Sequence, residues 1–201
     1  MAKTIITLGR EYCTGGRYIA EDVANALGIK LYDKELITMA AKNSGLSEEA
    51  VAASEKRHTH SLLYSLYTMG NDLPLGDQVF ILQSRIIKQL ADEGPCVIVG
   101  RCADVILKDY HPLNLFVYAN AESKIQRCID RAPEGEHLSR NDIARRMKQV
   151  DKNRAQYRQM FADSKWGAKE TYHLCVNTSG HQIKDLIPGL AAFVRCWYGE
   201  K

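Results

Sequence analysis

The chain has 201 residues, 45% of them hydrophobic and 25% charged, with a formal net charge of +3. That length fits one domain with a sizeable core, and the small positive balance does not by itself imply a nucleic-acid partner. No signal peptide, no apolar stretch near the length of a membrane span, no repeat and no low-complexity segment is visible.

In chain order, Thr4 to Leu8 reads as a strand buried on both faces. It runs into Gly9-Arg10-Glu11-Tyr12-Cys13-Thr14-Gly15-Gly16-Arg17 and then a helix with Ile19, Val23, Ala24 and Leu27 on its apolar face, ended by Gly28. Glycines between a strand and a helix let backbone N–H groups converge on an anion, and the helix N-terminus adds unpaired donors, so this loop is a candidate phosphate cradle. It departs from the usual G-x-x-x-x-G-K-[ST] pattern: Gly16 stands where the lysine belongs and Arg17 where the hydroxyl belongs. A guanidinium, Arg10 or Arg17, would then supply the charge toward the outer phosphates. Thr14 is either a substitute magnesium ligand or a donor to local backbone.

A second strand, Ile29 to Tyr32, is followed by Asp33, which is read as an oxygen ligand facing the loop, as a helix N-cap, or as both. Residues 34–94 read as a helical insertion with pieces at Glu35 to Lys42, Ser47 to Ser54, Ser61 to Met69 and Gly76 to Asp92. Within it, His58 and His60 lack a third ligand at zinc spacing, and Tyr64, Leu66, Tyr67 and Met69 fit a core cluster better than a base pocket. Cys96 to Val99 is a third strand, with Arg101 at its carboxyl end, where a planar guanidinium suits phosphate. Leu113 to Tyr118 is a fourth. Arg127 and Arg131 follow on one helical face, able to reach a common ligand or only solvent. Tyr172 to Val176 is a fifth strand, which makes the class α/β: a doubly wound parallel sheet of about five strands.

Between the last two strands, Ser139 to Arg158 carries Arg140, Arg145, Arg146, Lys148, Lys152, Arg154 and Arg158 against Asp142 and Asp151. The excess of five positive charges exceeds that of the whole chain. It can be a solvated helix face, a nucleic-acid patch, or a lid whose guanidinium groups close over a transferring phosphoryl group. Trp166, just beyond it, could pack such a lid on the body. The six cysteines, at 13, 96, 102, 128, 175 and 196, contain no C-x-x-C pair and read as reduced core residues of a cytoplasmic protein.

Ile6-Thr7-Leu8-Gly9-Arg10-Glu11-Tyr12 with Gly15-Gly16-Arg17, Tyr32-Asp33-Lys34-Glu35-Leu36, Val99-Gly100-Arg101-Cys102-Ala103-Asp104, Asp151-Lys152-Asn153-Arg154-Ala155 and Leu174 to Gly180 together resemble the cytidylate kinase-like family, a branch of the P-loop nucleoside monophosphate kinases, over nearly the full chain. The resemblance implies a single kinase-like domain over 1–201, with 34–94 on the acceptor side and a lid region at 127–165. It implies ATP and Mg2+ as cofactors, phosphoryl transfer to a nucleotide such as CMP or dCMP, and neither nucleic acid nor membrane as partner; oligomeric state is left open. Gly9, Arg10, Thr14, Gly15, Gly16 and Arg17 would hold the donor, with Thr14 and Asp33 near the metal. Asp33, Arg101, Asp104, Asp151 and Arg154 would hold the acceptor, Arg17, Asp33 and Arg154 would act in transfer, and Arg127, Arg131 and Lys152 are lid candidates. Cys102 stands where cytidylate kinases have an aspartate, which leaves Asp104, two residues on, as the nearby carboxylate. Two other readings are a kinase for another small metabolite, with Asp33 as base, and a nucleotide-binding sensor without turnover.

Overall fold

The structure, a computed structural model, describes residues 3–33, 35–44, 49, 75–133 and 139–199. The expected pieces Ser47 to Ser54, apart from the helical Glu49, and Ser61 to Met69, with His58, His60 and the Tyr64 cluster, lie outside the described residues.

Five parallel strands form one sheet in the order β2-β3-β1-β4-β5. They are β1 (Ile5–Arg10), β2 (Lys30–Tyr32), β3 (Cys96–Val99), β4 (Leu113–Tyr118) and β5 (Leu174–Asn177). The unalternating apolar runs follow from burial on both faces. Ile6, Leu8, Val97, Val99, Leu115 and Val117 pack on one side against Ile19, Val23, Leu190 and Val194, from helices α1 (Gly16–Leu27) and α7 (Ile183–Tyr198). Ile5, Cys96 and Ile98 point the other way, onto Leu36, Val79, Ile86, Ile87 and Leu90 of α2 (Glu35–Ser44) and α3 (Leu75–Glu93). Short helix α4 (Ala103–Ile106) follows β3, α5 (Ala121–Asp130) follows β4, and α6 (Arg140–Phe161) crosses from there toward β5. Among the described residues, no helix is long and apolar enough to cross a membrane.

Two boundaries differ from expectation. β1 continues through Gly9 and Arg10, which pair with Phe116 and Val117, and Glu11 N–H still donates to the Val117 carbonyl. The glycine that looked like the start of the loop is therefore a strand residue, and the loop proper spans 11–15. β5 begins at Leu174 rather than Tyr172, because Tyr172 closes the tight turn at Lys169–Thr171, its N–H donating to the Lys169 carbonyl at 3.3 Å, while its ring lies 4.8 Å from that of Phe116.

The cysteine expectation is corrected. Cys13 and Cys128 form a disulfide that ties the loop after β1 to α5, their Cα atoms 6.1 Å apart across 115 residues of sequence. Linear spacing carries no sign of that proximity. Of the other four, Cys96 and Cys102 are buried, while Cys175 is half-buried and Cys196 exposed.

Candidate active site

β1 is central, with β3 on one side and β4 on the other, so a crevice opens at their carboxyl ends, where open α/β sheets take ligands. The loop there is built for close approach. Gly15 is left-handed (φ 82°), and a Cβ on it would stand 2.5 Å from the Ile183 side chain, so only glycine lets α1 start so close to α7. The twelve-residue α1 begins at Gly16 with no side-chain N-cap, which leaves its N-terminus facing the loop.

Side chains from across the fold hold this loop. Asp151, on α6, accepts from Tyr12 N–H at 2.7 Å, and Arg154 Nη1 donates to the Arg10 carbonyl at 3.1 Å and lies 3.5 Å from Asp151. Lys124 of α5, almost fully buried, pairs with Glu11 at 2.8 Å and lies 3.8 Å from Asp151. Thr178 donates its hydroxyl to the Thr14 carbonyl at 2.9 Å and accepts from Arg127 Nη1 at 3.1 Å. Sequence reasoning missed Lys124 and Thr178, because each is joined to the loop by contacts remote in the chain, and Glu11, a loop residue whose partner Lys124 is equally remote.

A cavity of about 470 Å³ opens beside the loop. Arg10, Arg101, Arg146, Arg154 and Arg158 line it with Asp104, and Tyr12, Tyr157, Trp166 and Tyr172 supply aromatic wall. Its floor is an unusual turn: Gly100, Arg101 and Cys102 are consecutively left-handed at φ 76°, 58° and 52°. Arg101 and Cys102 are thereby held in a backbone region unfavourable for side-chain-bearing residues, as is common where a fold orients ligand groups. The Arg10 guanidinium packs against Gly100, and a Cβ there would push it aside.

The expected residues fall into groups. Gly9, Arg10, Arg101, Asp104 and Arg154 all line the cavity. Asp33, buried at the end of β2, faces Arg10 at 3.6 Å and Arg17 at 3.5 Å, so one carboxylate joins the two arginines considered as substitutes for the lysine. Thr14 is buried with its hydroxyl on local backbone, donating to the Glu11 carbonyl at 2.9 Å and accepting from Gly16 N–H at 3.3 Å. Arg127 turns to the Thr178 and His181 carbonyls, and Arg131 lies 4.1 Å above the Tyr18 ring of α1. These two share a second, smaller cavity rather than the first. Lys152 is exposed on α6 and lines neither cavity. Trp166 packs edge-on against Phe116 of β4, 5.2 Å between centroids.

Asp104 is already engaged. Arg158 meets it at 2.7 Å and also donates to the Ser164 carbonyl (3.1 Å) and hydroxyl (2.7 Å), so it joins the end of α6 to α4. Burial pushes the neighbouring Cys102 thiol up to about 12, with the Asp104 charge adding to the effect, so Cys102 stays a neutral thiol and offers no carboxylate-like charge.

Burial lowers the pKa of Arg154, against the raising effects of Asp151 and Asp33, and it raises that of Asp151, against Tyr12 N–H, Arg154 and Lys124. A carboxyl whose folded value is raised binds its proton more readily in the folded chain. Its contribution to stability is therefore present at acid pH and lost as pH rises from the unfolded value through the folded one. Asp151→Asn keeps an acceptor for Tyr12 N–H and is expected to flatten the fall in melting temperature just above pH 3.8, the ordinary value. Thermal melts of both proteins across that window check this; parallel curves would refute it.

For a nucleotide and its metal, the fit lies in oxygen and N–H donors. Among the described residues no cluster of three or more His, Cys, Asp or Glu side chains forms a metal site of its own. Mg2+ suits a site with one or two protein oxygens and the rest from phosphate and water, and Asp33, paired with Arg10 and Arg17, is a carboxylate that could supply one.

The profile of the cytidylate kinase-like family matches residues 5–180. Among solved structures, an uncharacterized protein from Eubacterium ventriosum ATCC 27560 is 26% identical over 96% of this chain and 98% of its own, with a TM-score of 0.72. TT1252 from Thermus thermophilus, 16% identical over 96% of this chain and 97% of its own, superposes at 0.55. Shikimate kinase from Bacteroides thetaiotaomicron, 12% identical over 96% and 99%, also reaches 0.55. No curated protein matches the chain. With the family matched over most of its length and an all-parallel kinase-type sheet beneath the glycine loop, the chain belongs to the cytidylate kinase-like family, and fold and family together support a phosphotransferase acting on a nucleotide or another small metabolite.

Proposed function

We propose that this chain transfers the γ-phosphoryl group of Mg-ATP to a nucleoside monophosphate, CMP or dCMP, within one kinase-like domain whose α6 region is the lid. The observation that carries the reading is the arginine-rich cavity beside the glycine loop, where Arg10, Arg101 and Arg154 meet from three separate elements. An acceptor that is itself a phosphate suits such a wall. Its attacking oxygen is already ionised, so positioning and charge neutralisation carry the rate and no strong base is needed. Gly15, Gly16 and Arg17 would hold the donor phosphates, and Asp33 would orient a magnesium-bound water. When bound, Mg2+ neutralises charge on the phosphates. Arg101 would grip the acceptor phosphate, Asp151 and Arg154 would close over it, and Tyr157 and Trp166 supply aromatic surface for a base.

The direct test is ADP release from Mg-ATP with a panel of nucleoside monophosphates and small metabolic alcohols. Selective turnover of pyrimidine monophosphates supports the reading. A second reading, transfer to a hydroxyl of another metabolite, draws on the buried Asp33 at the sheet edge, where a carboxylate could take a hydroxyl proton, and predicts turnover with an alcohol instead. ATP binding without turnover on any member of the panel would favour a sensor and overturn both.

Arg101→Ala is expected to raise the acceptor KM by at least tenfold and the ATP KM by less than about twofold, since a charge-assisted contact to phosphate contributes roughly 1.5–3 kcal/mol. Initial rates with each substrate varied in turn decide it; equal changes in the two constants would remove Arg101 from the acceptor side.

A further inference from the structure

We propose that the Cys13–Cys128 pair is a redox-modified site that sets the affinity of the glycine loop for donor phosphates: bonded, it holds the loop in its binding shape, and reduction releases it. The proposal rests on the reading of this loop as the donor site.

Three observations lead to it. The first is backbone geometry. Cys13 is left-handed, φ 57°, in the middle of the loop. That conformation suits glycine, and for a residue with a Cβ it is roughly tenfold less populated than ordinary backbone. Something must hold it. Tyr12 N–H is held by Asp151 and the Thr14 carbonyl by Thr178, while Cys13 between them is tied through its sulfur to α5. Cutting that tie returns Cys13 to its own preference, and the φ change moves the Thr14 and Gly15 N–H groups that follow it and would meet phosphate.

The second observation is access. Both cysteines are only half-buried and line a cavity of about 190 Å³. A reductant can therefore reach the bond, which a disulfide sealed in the core would not allow. By contrast Cys96 and Cys102 are buried, with thiols pushed by burial up to about 11 and 12, and so are poor thiolates for exchange.

The third is charge. Arg127, Arg131 and Arg146 line the same cavity as the sulfur atoms. Guanidinium groups stabilise the thiolate that leaves when the bond is attacked, which speeds opening and favours the reduced form.

The step balances with an external thiol. Two thiols of a small molecule or of a dithiol protein supply two electrons and two protons. The Sγ–Sγ bond breaks, Cys13 and Cys128 become thiols, and the reductant leaves as its own disulfide.

The experiment uses the full chain in a Cys196→Ser background, which removes the exposed thiol on α7. The protein is equilibrated with oxidised or reduced dithiothreitol. Alkylation and mass spectrometry count thiols, calorimetry measures Mg-ATP affinity, and hydrogen exchange follows residues 10–17. Oxidised protein is expected to show Cys13 and Cys128 protected from alkylation, and reduction to expose both. Reduction should weaken Mg-ATP binding about tenfold and speed exchange in the loop, in keeping with the population shift above. Cys128→Ser should match the reduced protein in both buffers. Cys13→Gly, which keeps the left-handed backbone without a bond, should ignore the reductant and bind more tightly than reduced protein does. Failure of the pair to protect each other under oxidation overturns the proposal, as does exchange and affinity unchanged by reduction. If no form binds Mg-ATP while loop exchange still responds to reduction, the donor-site reading is what fails and the redox control of the loop stands.

Discussion

Arg154→Ala is expected to lower kcat by about a hundredfold or more while ATP affinity stays within about twofold, because a guanidinium placed for the transferring group stabilises charge that develops in the transition state. The basis is position. Arg154 reaches from α6 to the Arg10 carbonyl, lines the cavity beside Arg101, and feels the charges of Asp33 and Asp151. It thus stands between the proposed donor and acceptor sides, partly desolvated, where a charge acts more strongly than in water. The alternatives for the basic helix predict different results. A solvated face gives near wild-type kinetics, and a nucleic-acid patch gives a salt-dependent loss of DNA or RNA binding with phosphoryl transfer untouched. Measuring kcat, ATP affinity and melting temperature on this one variant separates the three, and a kcat within twofold of wild type would end the assignment. Since Arg154 also helps hold the loop, the melt shows whether a rate loss comes with a loosened fold.

The largest effect on stability is expected at Arg158. It is buried, 3% exposed, and its guanidinium meets Asp104 and both oxygens of Ser164. Arg158→Met removes the cation and leaves the Asp104 carboxylate, 12% exposed at the cavity wall, without its main partner, which costs up to roughly 3–5 kcal/mol. For a chain of this size that corresponds to about 10 °C in melting temperature. The pair Arg158→Met and Asp104→Leu should recover much of the loss, because a buried ion pair replaced as a unit by apolar groups of similar volume is often neutral. A melt of the single variant within about 2 °C of wild type would show that the clamp contributes little. The same series bears on Asp104 as an acceptor ligand: a ligand role predicts a raised acceptor KM in Asp104→Asn with the melt unchanged, whereas the clamp predicts the reverse.

The strand runs, the glycine loop before α1, the helix stop at Gly28 and the basic stretch of α6 were legible because each is a local pattern. Apolar residues at period one or near 3.6, and glycine at a turn, state their environment within a few positions of chain. The positions of Asp33 and Arg101 at the carboxyl ends of β2 and β3 followed from the same logic, since a parallel sheet brings those ends to one edge. The extension of β1 through Gly9 and Arg10 did not, because it depends on continued pairing with β4, more than a hundred residues away.

The sequence alone thus determined the class of fold, the family resemblance and which residue types stand at the ligand edge. Only the tertiary structure decided their partners. Nothing in the chain order joins Asp104 to Arg158, Arg127 to the Thr178 turn, Lys124 to Glu11, or Cys13 to Cys128. Hydrogen bonds, ion pairs and disulfides act over a few ångströms and are set by which helix lands beside which loop, so they are properties of packing and not of spacing.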